Sequence, residues 1–200
     1  MERDPTAVLI LAGGEGRRLG GPKAWLRWRD GPLLLEVVRR LSSLADLVVV
    51  SARRGQELPP GNYDRVDDDV AGAGPLAGLS AGLTAFATDS PGARVAVTAC
   101  DYPLTDPALF RALARHDTKA DLVLPRWEGH LHPLQAVWRA GVGGACGEAL
   151  RRGERRLSAI FTAVDARIVD AESLSGFDVA RALLNVNDSE ALARARLLAG

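Results

Sequence analysis

Short, nearly continuous apolar runs alternate along the chain with stretches whose apolar residues recur every three or four positions. The clearest runs are Ala7 to Leu11, Leu47 to Val50 and Val95 to Ala99, rich in Val, Leu and Ile. Strands that read this way are covered on both faces, as in a parallel sheet with helices on either side. Pro32 to Ala45 predicts a crossover helix: Leu34, Val37, Val38, Leu41 and Leu44 share a face, and Pro32 suits a first helical turn. A second helix is expected after Pro75, on Leu76, Leu79, Leu83 and Phe86. A third opens at Asp106-Pro107, a cap followed by a first-turn proline.

The second half is less regular. Asp121 to Pro125, Leu134 to Trp138 and Ala166 to Val169 read as strands, and Val142 to Gly153 as a glycine-rich helix. Asn187-Asp-Ser-Glu190 resembles a capping box, with the Asn187 side chain and Glu190 serving free amides at the start of a last helix. No repeat or linker divides the chain, so residues 1–200 are expected to form one domain. The βαβα rhythm predicts a three-layer α/β/α, Rossmann-like fold with a mostly parallel central sheet. Ligands of such sheets bind beyond the carboxyl ends of the strands, which directs attention to the loops there.

Composition narrows the function. In 200 residues, 25 basic side chains balance 25 acidic ones, and a nucleic-acid binder would normally carry a basic excess. A hydrophobic share of 47% is that of a globular chain, yet no apolar run approaches the ~18–20 residues of a membrane span. Met-Glu-Arg-Asp-Pro makes a poor signal peptide. Cys100 and Cys146 are too far apart for a C-x-x-C pair, which argues against a zinc site or disulfide framework. A soluble, cytoplasmic protein with neither nucleic acid nor membrane as partner is expected.

The first strand runs into Leu11-Ala-Gly-Gly-Glu-Gly-Arg-Arg-Leu-Gly-Gly-Pro-Lys23. Its glycines let backbone amides turn toward a ligand, an arrangement that suits phosphate oxygens. A Walker A loop does not fit, because Pro22 separates Gly21 from Lys23 and Ala24 stands where a hydroxyl is needed. Gly14, Gly16 and Gly20 give a spacing one residue too long for the dinucleotide fingerprint. Lys23 is one of only two lysines, the other being Lys119, so a compact ammonium in this loop points to a phosphate. Arg17 and Arg18 add positive charge.

Leu11-Ala-Gly-Gly-x-x-x-Arg18-Leu-Gly20-x-x-Lys23 resembles the signature loop of nucleotidyltransferases with the glycosyltransferase-A-like fold of nucleotide-diphospho-sugar transferases. The Gly-Gly after Leu-Ala is similar to the guanylyltransferases that mature molybdenum cofactor, the MobA family; cytidylyltransferase relatives more often read Ala-Ala-Gly. The resemblance continues in order through Gly74-Pro-Leu-Ala-Gly78, Cys100-Asp-Tyr-Pro-Leu104, His132-Pro133, Gly153-Glu-Arg-Arg156 and Asn185-Val-Asn187. Pro22 departs from it where Asp is common, Gly16 replaces a small hydroxyl residue, and Leu19 replaces Met.

The resemblance implies GMP transfer from GTP to the terminal phosphate of molybdenum-molybdopterin, with Mg²⁺ on Asp101 and with Lys23, Asp101 and Arg18 catalytic. Nucleotide contacts are implied for Leu11, Ala12, Gly13, Gly14, Lys23, Ser51, Asp68 and Asp101. In the run Asp67-Asp-Asp69, spacing from the Gly-Pro-Leu-Ala-Gly motif favours Asp68 and leaves Asp67 open. Gly74, Gly78, Arg156, Asn185 and Asn187 are assigned to the pterin side, although Gly74, Gly78 and Gly82 equally suit close helix–sheet packing. His132 is read as a positioning residue. Partners would be GTP, the pterin, and the proteins that deliver the cofactor and accept the product. The competing readings are a CTP-dependent cytidylyltransferase for the same pterin, a sugar-phosphate nucleotidyltransferase and a non-catalytic nucleotide-binding module.

Overall fold

The structure, a computed structural model, describes residues 4–14, 16–68, 70 and 72–200. The N-terminal Met1 to Arg3, Glu15, Asp69, Ala71 and the side chain of Arg17 lie outside the described set. The elements run β1 (Ala7–Leu11), β2 (Arg27–Trp28), β3 (Gly31–Pro32), α1 (Leu33–Leu41), β4 (Leu47–Arg53), β5 (Asp64–Asp68), α2 (Pro75–Ala87), β6 (Arg94–Ala99) and α3 (Pro107–His116). There follow β7 (Leu122–Trp127), β8 (His130–Leu131), β9 (Gln135–Arg139), α4 (Val142–Arg151), β10 (Ala166–Asp170), α5 (Val179–Ala182) and α6 (Ser189–Leu198).

One eight-stranded sheet has the order β10-β7-β9-β6-β1-β4-β5, with β8 hydrogen-bonded to β7. β1 pairs in parallel with β4 on one side and β6 on the other, and β9 is the antiparallel strand between β6 and β7. The sheet is thus mixed but mostly parallel, with helices on both faces. β1 shows why its run is unbroken: Leu9 and Leu11 pack with Leu76, Leu79 and Leu83 of α2. Val8 and Ile10 pack on the opposite face with Leu34, Val37 and Leu41 of α1. Alternate side chains of a strand point to opposite faces, so a strand buried twice must be apolar throughout. A third cluster joins Trp28 and Leu33 to Leu104, Leu184, Val186 and Leu192, bringing the C-terminal segment against the loops that carry the site.

Several boundaries differ from the sequence expectation. α1 ends at Leu41 and α4 at Arg151, while β4 extends to Arg53. β5, Asp-Arg-Val-Asp-Asp, is a strand that no apolar run in the sequence announces. It is an edge strand paired with β4 alone, and the charges that hide its strand character also discourage further pairing. The N-cap of α6 is Asp188 and not Asn187: the Asp188 carboxylate accepts the Ala191 amide at 2.8 Å. Asp106 caps α3 as expected, accepting the Ala108 amide at 2.8 Å. Among the described residues, no helix is long and apolar enough to cross a membrane.

Gly82 belongs to packing. A Cβ there would lie 2.4 and 2.5 Å from the two methyl carbons of Leu9, at the centre of the α2–β1 contact. Gly82→Ala is therefore expected to destabilise by ~1–3 kcal/mol through overpacking, read as a lower denaturation midpoint. An unchanged midpoint would mean that α2 can move off the sheet at no cost.

Candidate active site

The carboxyl ends of the central strands converge on one cavity of about 340 Å³. β1 contributes Leu11 and the following Gly13 and Gly14, β4 contributes Ser51 and Arg53, β5 contributes Asp68, and the turn after β6 contributes Cys100 and Asp101. Gly74, Pro75 and Gly78, at the start of α2, form another wall with Leu134. The loop that crosses the cavity is pinned at both ends. The Ala12 amide donates to the Ser51 carbonyl at 2.8 Å, and the Ala12 carbonyl accepts from Gln56 Nε2 at 2.8 Å. Further along, the Gly16 carbonyl accepts from the amides of Leu19 and Gly21. Gly16 has φ +60°, and a Cβ would fall 2.0 Å from the Gly21 carbonyl oxygen, so no hydroxyl residue fits this turn as it stands.

Lys23 opens the turn Lys23–Trp25, and its stem lies along the glycines: a Cβ on Gly14 would be 3.3 Å from Lys23 Cδ. Its ammonium donates to Asp101 Oδ2 at 2.7 Å and to Asn187 Oδ1 at 2.5 Å. Asn187 reaches that position because the Val186 amide donates to the Asp101 carbonyl at 2.8 Å while the Val186 side chain is fully buried. Asp101 Oδ1 is buried and has no hydrogen-bond partner. An open carboxylate oxygen beside a lysine suits a hard cation. Among the described residues no group of three or more His, Cys, Asp or Glu could hold a metal. An ion here would thus take Asp101 and fill its remaining positions with water and ligand oxygens, as Mg²⁺ does.

The remaining residues singled out in the sequence divide. Of the acidic run, Asp68 lines the cavity, whereas Asp67 pairs with Arg65 Nε at 2.6 Å. Ser51 is buried and its hydroxyl has no partner in the protein. Gly74 and Gly78 line this cavity beside Ser51. Asn185, assigned to the same pterin group, lines a second cavity of about 460 Å³ with Trp127, His132, Arg181 and Arg194. Ala12 is buried and its amide is already used, so it offers the cavity no donor. Arg18 and Arg156 are exposed and line neither cavity. Arg53 was not singled out at all. Side chains two apart on a strand share a face, so Ser51 already marked Arg53 as its neighbour.

Burial sets the titration of the neighbouring groups. It pushes the Cys100 thiol up, Asp101 pushes it further, and Lys23 opposes both. Burial raises Cys146 to about 12. Neither is a usable nucleophile, and an alkylating reagent at neutral pH is expected to label neither thiol until the protein is unfolded. Rapid labelling of Cys100 in folded protein would contradict this packing. Burial lifts the Tyr102 hydroxyl to about 12 against a hydrogen bond with Asn185. Burial, with His130 adding, lowers His132 below the usual histidine range, so it is neutral at pH 7.

A family model described as a MobA-like NTP transferase domain matches residues 8–168. A probable molybdenum cofactor guanylyltransferase of Mycobacterium tuberculosis is 39% identical over 194 residues, covering 94% of this chain and 92% of the relative. Among solved structures, molybdopterin-guanine dinucleotide biosynthesis protein A of Archaeoglobus fulgidus matches with a TM-score of 0.81 at 22% identity, covering 97% of this chain and 98% of that one. The 2-C-methyl-D-erythritol 4-phosphate cytidylyltransferase of Thermus thermophilus matches with a TM-score of 0.71 at 19% identity, covering 98% of each chain. The two structures share the fold.

Proposed function

The chain belongs to the MobA-like NTP transferase family, and on that premise we propose that it transfers GMP from GTP to the terminal phosphate of molybdenum-molybdopterin. The products are molybdopterin guanine dinucleotide and pyrophosphate. The observation that carries this reading is the Lys23 ammonium, held between Asp101 and Asn187 beside the glycine loop. In the reaction, a phosphate oxygen of the pterin bonds to the α-phosphorus of GTP as the bond to the bridging oxygen breaks and pyrophosphate leaves. The attacking phosphate is already an anion at neutral pH, so no strong base is required. A neutral, half-buried His132 agrees with that.

What the chain must supply is alignment and positive charge at the phosphates. Lys23 provides the charge, and Asn187 fixes where it points. Mg²⁺ is the cation we assign to Asp101 Oδ1, where it would neutralise phosphate charge. The Asn185-Val-Asn187 segment reaches both cavities: Asn187 bonds Lys23 at the first and Asn185 lines the second. That supports a pterin in the second cavity, with its phosphate directed at the first. Arg181 and Arg194 supply positive charge there. Arg18 and Arg156 would need to move inward to touch a phosphate. Two buried free thiols fit a reducing compartment, and we place the enzyme in the cytoplasm, taking the pterin from a delivery protein and passing the dinucleotide to an acceptor molybdoenzyme.

Pyrophosphate release from GTP, CTP and ATP, with and without the molybdenum-loaded pterin, tests the proposal. Release from GTP alone, and only with the pterin, is expected. Release from CTP instead would make the chain a cytidylyltransferase, and release from no nucleotide by folded protein would overturn the proposal in favour of another acceptor or a non-catalytic nucleotide-binding module.

A further inference from the structure

The cavity has two chemically different ends. One holds Lys23 and Asp101, and the other holds Arg53 and Asp68. Arg53 and Asp68 are register partners on the parallel strands β4 and β5. A single point, the Cβ position that Gly13 lacks, lies 3.7 Å from Asp68 Oδ2 and 3.8 Å from Arg53 Cγ. The corresponding point on Gly14 lies instead against the stem of Lys23. The glycine pair therefore divides the two ends. With Asp101 following β6, and with β1 between β6 and β4, two to three strand spacings of ~4.8 Å separate them. That is the separation a ligand with a charged tail and a polar head would span.

The triphosphate belongs with Lys23 and the cation assigned to Asp101, which leaves the Arg53 and Asp68 end for the base. Leu11, Pro75 and Leu134 supply apolar walls that suit a flat ring. Ser51, Arg53 and Asp68 then supply donors and an acceptor at its edge. We infer that Arg53 is a specificity-determining residue that reads the O6/N7 edge of guanine. Guanine presents two adjacent acceptors there, matched to the fork of a guanidinium, whereas adenine presents N7 beside an amino donor and pyrimidines lack N7. Asp68 takes the donors of the neighbouring edge, N1–H and the 2-amino group. The inference rests on the guanylyl reading above and assigns its base discrimination to a residue outside the motifs that revealed the family.

The test is equilibrium binding of Mg²⁺-nucleotides to the full chain, which needs no pterin. GTP is compared with 7-deaza-GTP, which lacks N7, and with ITP, which lacks the 2-amino group. The native protein is expected to bind 7-deaza-GTP about tenfold more weakly than GTP. In Arg53→Met, which keeps an apolar stem of similar length, that ratio should fall to about one. The ITP penalty should persist in the same variant, showing that the pocket is intact and that only one edge has lost its reader. A 7-deaza penalty that is absent in the native protein, or equal in Arg53→Met, overturns the role of Arg53 and leaves GTP as substrate. Preference of the native protein for CTP over GTP overturns both this inference and the guanylyl reading.

Discussion

Replacing Asp101 with asparagine is expected to lower GTP-dependent pyrophosphate release by about 10²–10³-fold while the protein remains folded. The carboxylate serves two positive partners with its two oxygens. Oδ2 accepts from the Lys23 ammonium at 2.7 Å, and Oδ1 is the buried oxygen with no partner in the protein. The amide has the same shape but only one oxygen and no charge. If its NH₂ faces Lys23, two donors are opposed. If it faces the other way, the position assigned to the cation holds a donor. Either rotamer loses one of the two interactions, so the amide cannot rescue the site. Folding should suffer less, because Asp101 sits at the end of β6 and the Val186 amide holds its backbone carbonyl regardless of the side chain. Turnover and melting temperature, measured together, separate the two roles. Near-normal turnover that still depended on a divalent cation would show that the cation is held elsewhere.

Much of this could be read in the chain because each feature has a local cause. β1 is apolar at every position because both of its faces are covered, and Asp106-Pro107 starts a helix by itself. What escaped reading was fixed by distant contacts. β5 has one apolar residue, Val66, and becomes a strand by pairing with β4 at the sheet edge. Asn187 looked like a helix cap because its neighbours carry the capping pattern. The cap moved one residue on to Asp188, leaving Asn187 to meet a lysine 164 residues away in sequence. Spacing from the glycine motif favours Asp68 and leaves Asp67 open; the face of β5 that each occupies puts Asp68 at the cavity and Asp67 against Arg65. Arg53 was hidden for a plainer reason: it is one arginine among many, and only the register of β4 against β5 gives it a carboxylate neighbour.

Lys23→Ala should reduce turnover about as far as the Asp101 substitution, by about 10²–10³-fold. Its effect should differ in kind. Alanine removes the charge proposed to face the phosphates and leaves Asp101, whose side chain is 15% exposed, without its ammonium partner. A mostly buried carboxylate stripped of its partner is destabilising, so this variant should melt lower than the native protein. Lys23→Arg should restore stability without restoring turnover. The guanidinium keeps the charge, but it is planar and wider than an ammonium, and Gly14 and Gly16 leave a channel fitted to a slim stem. Asn187 provides the control. It positions the ammonium by a 2.5 Å hydrogen bond, so Asn187→Ala should leave the charge in place and cost about tenfold. If Asn187→Ala proved as damaging as Lys23→Ala, Asn187 would have to touch the substrate itself, and the phosphate would lie nearer the C-terminal segment than Lys23 alone implies.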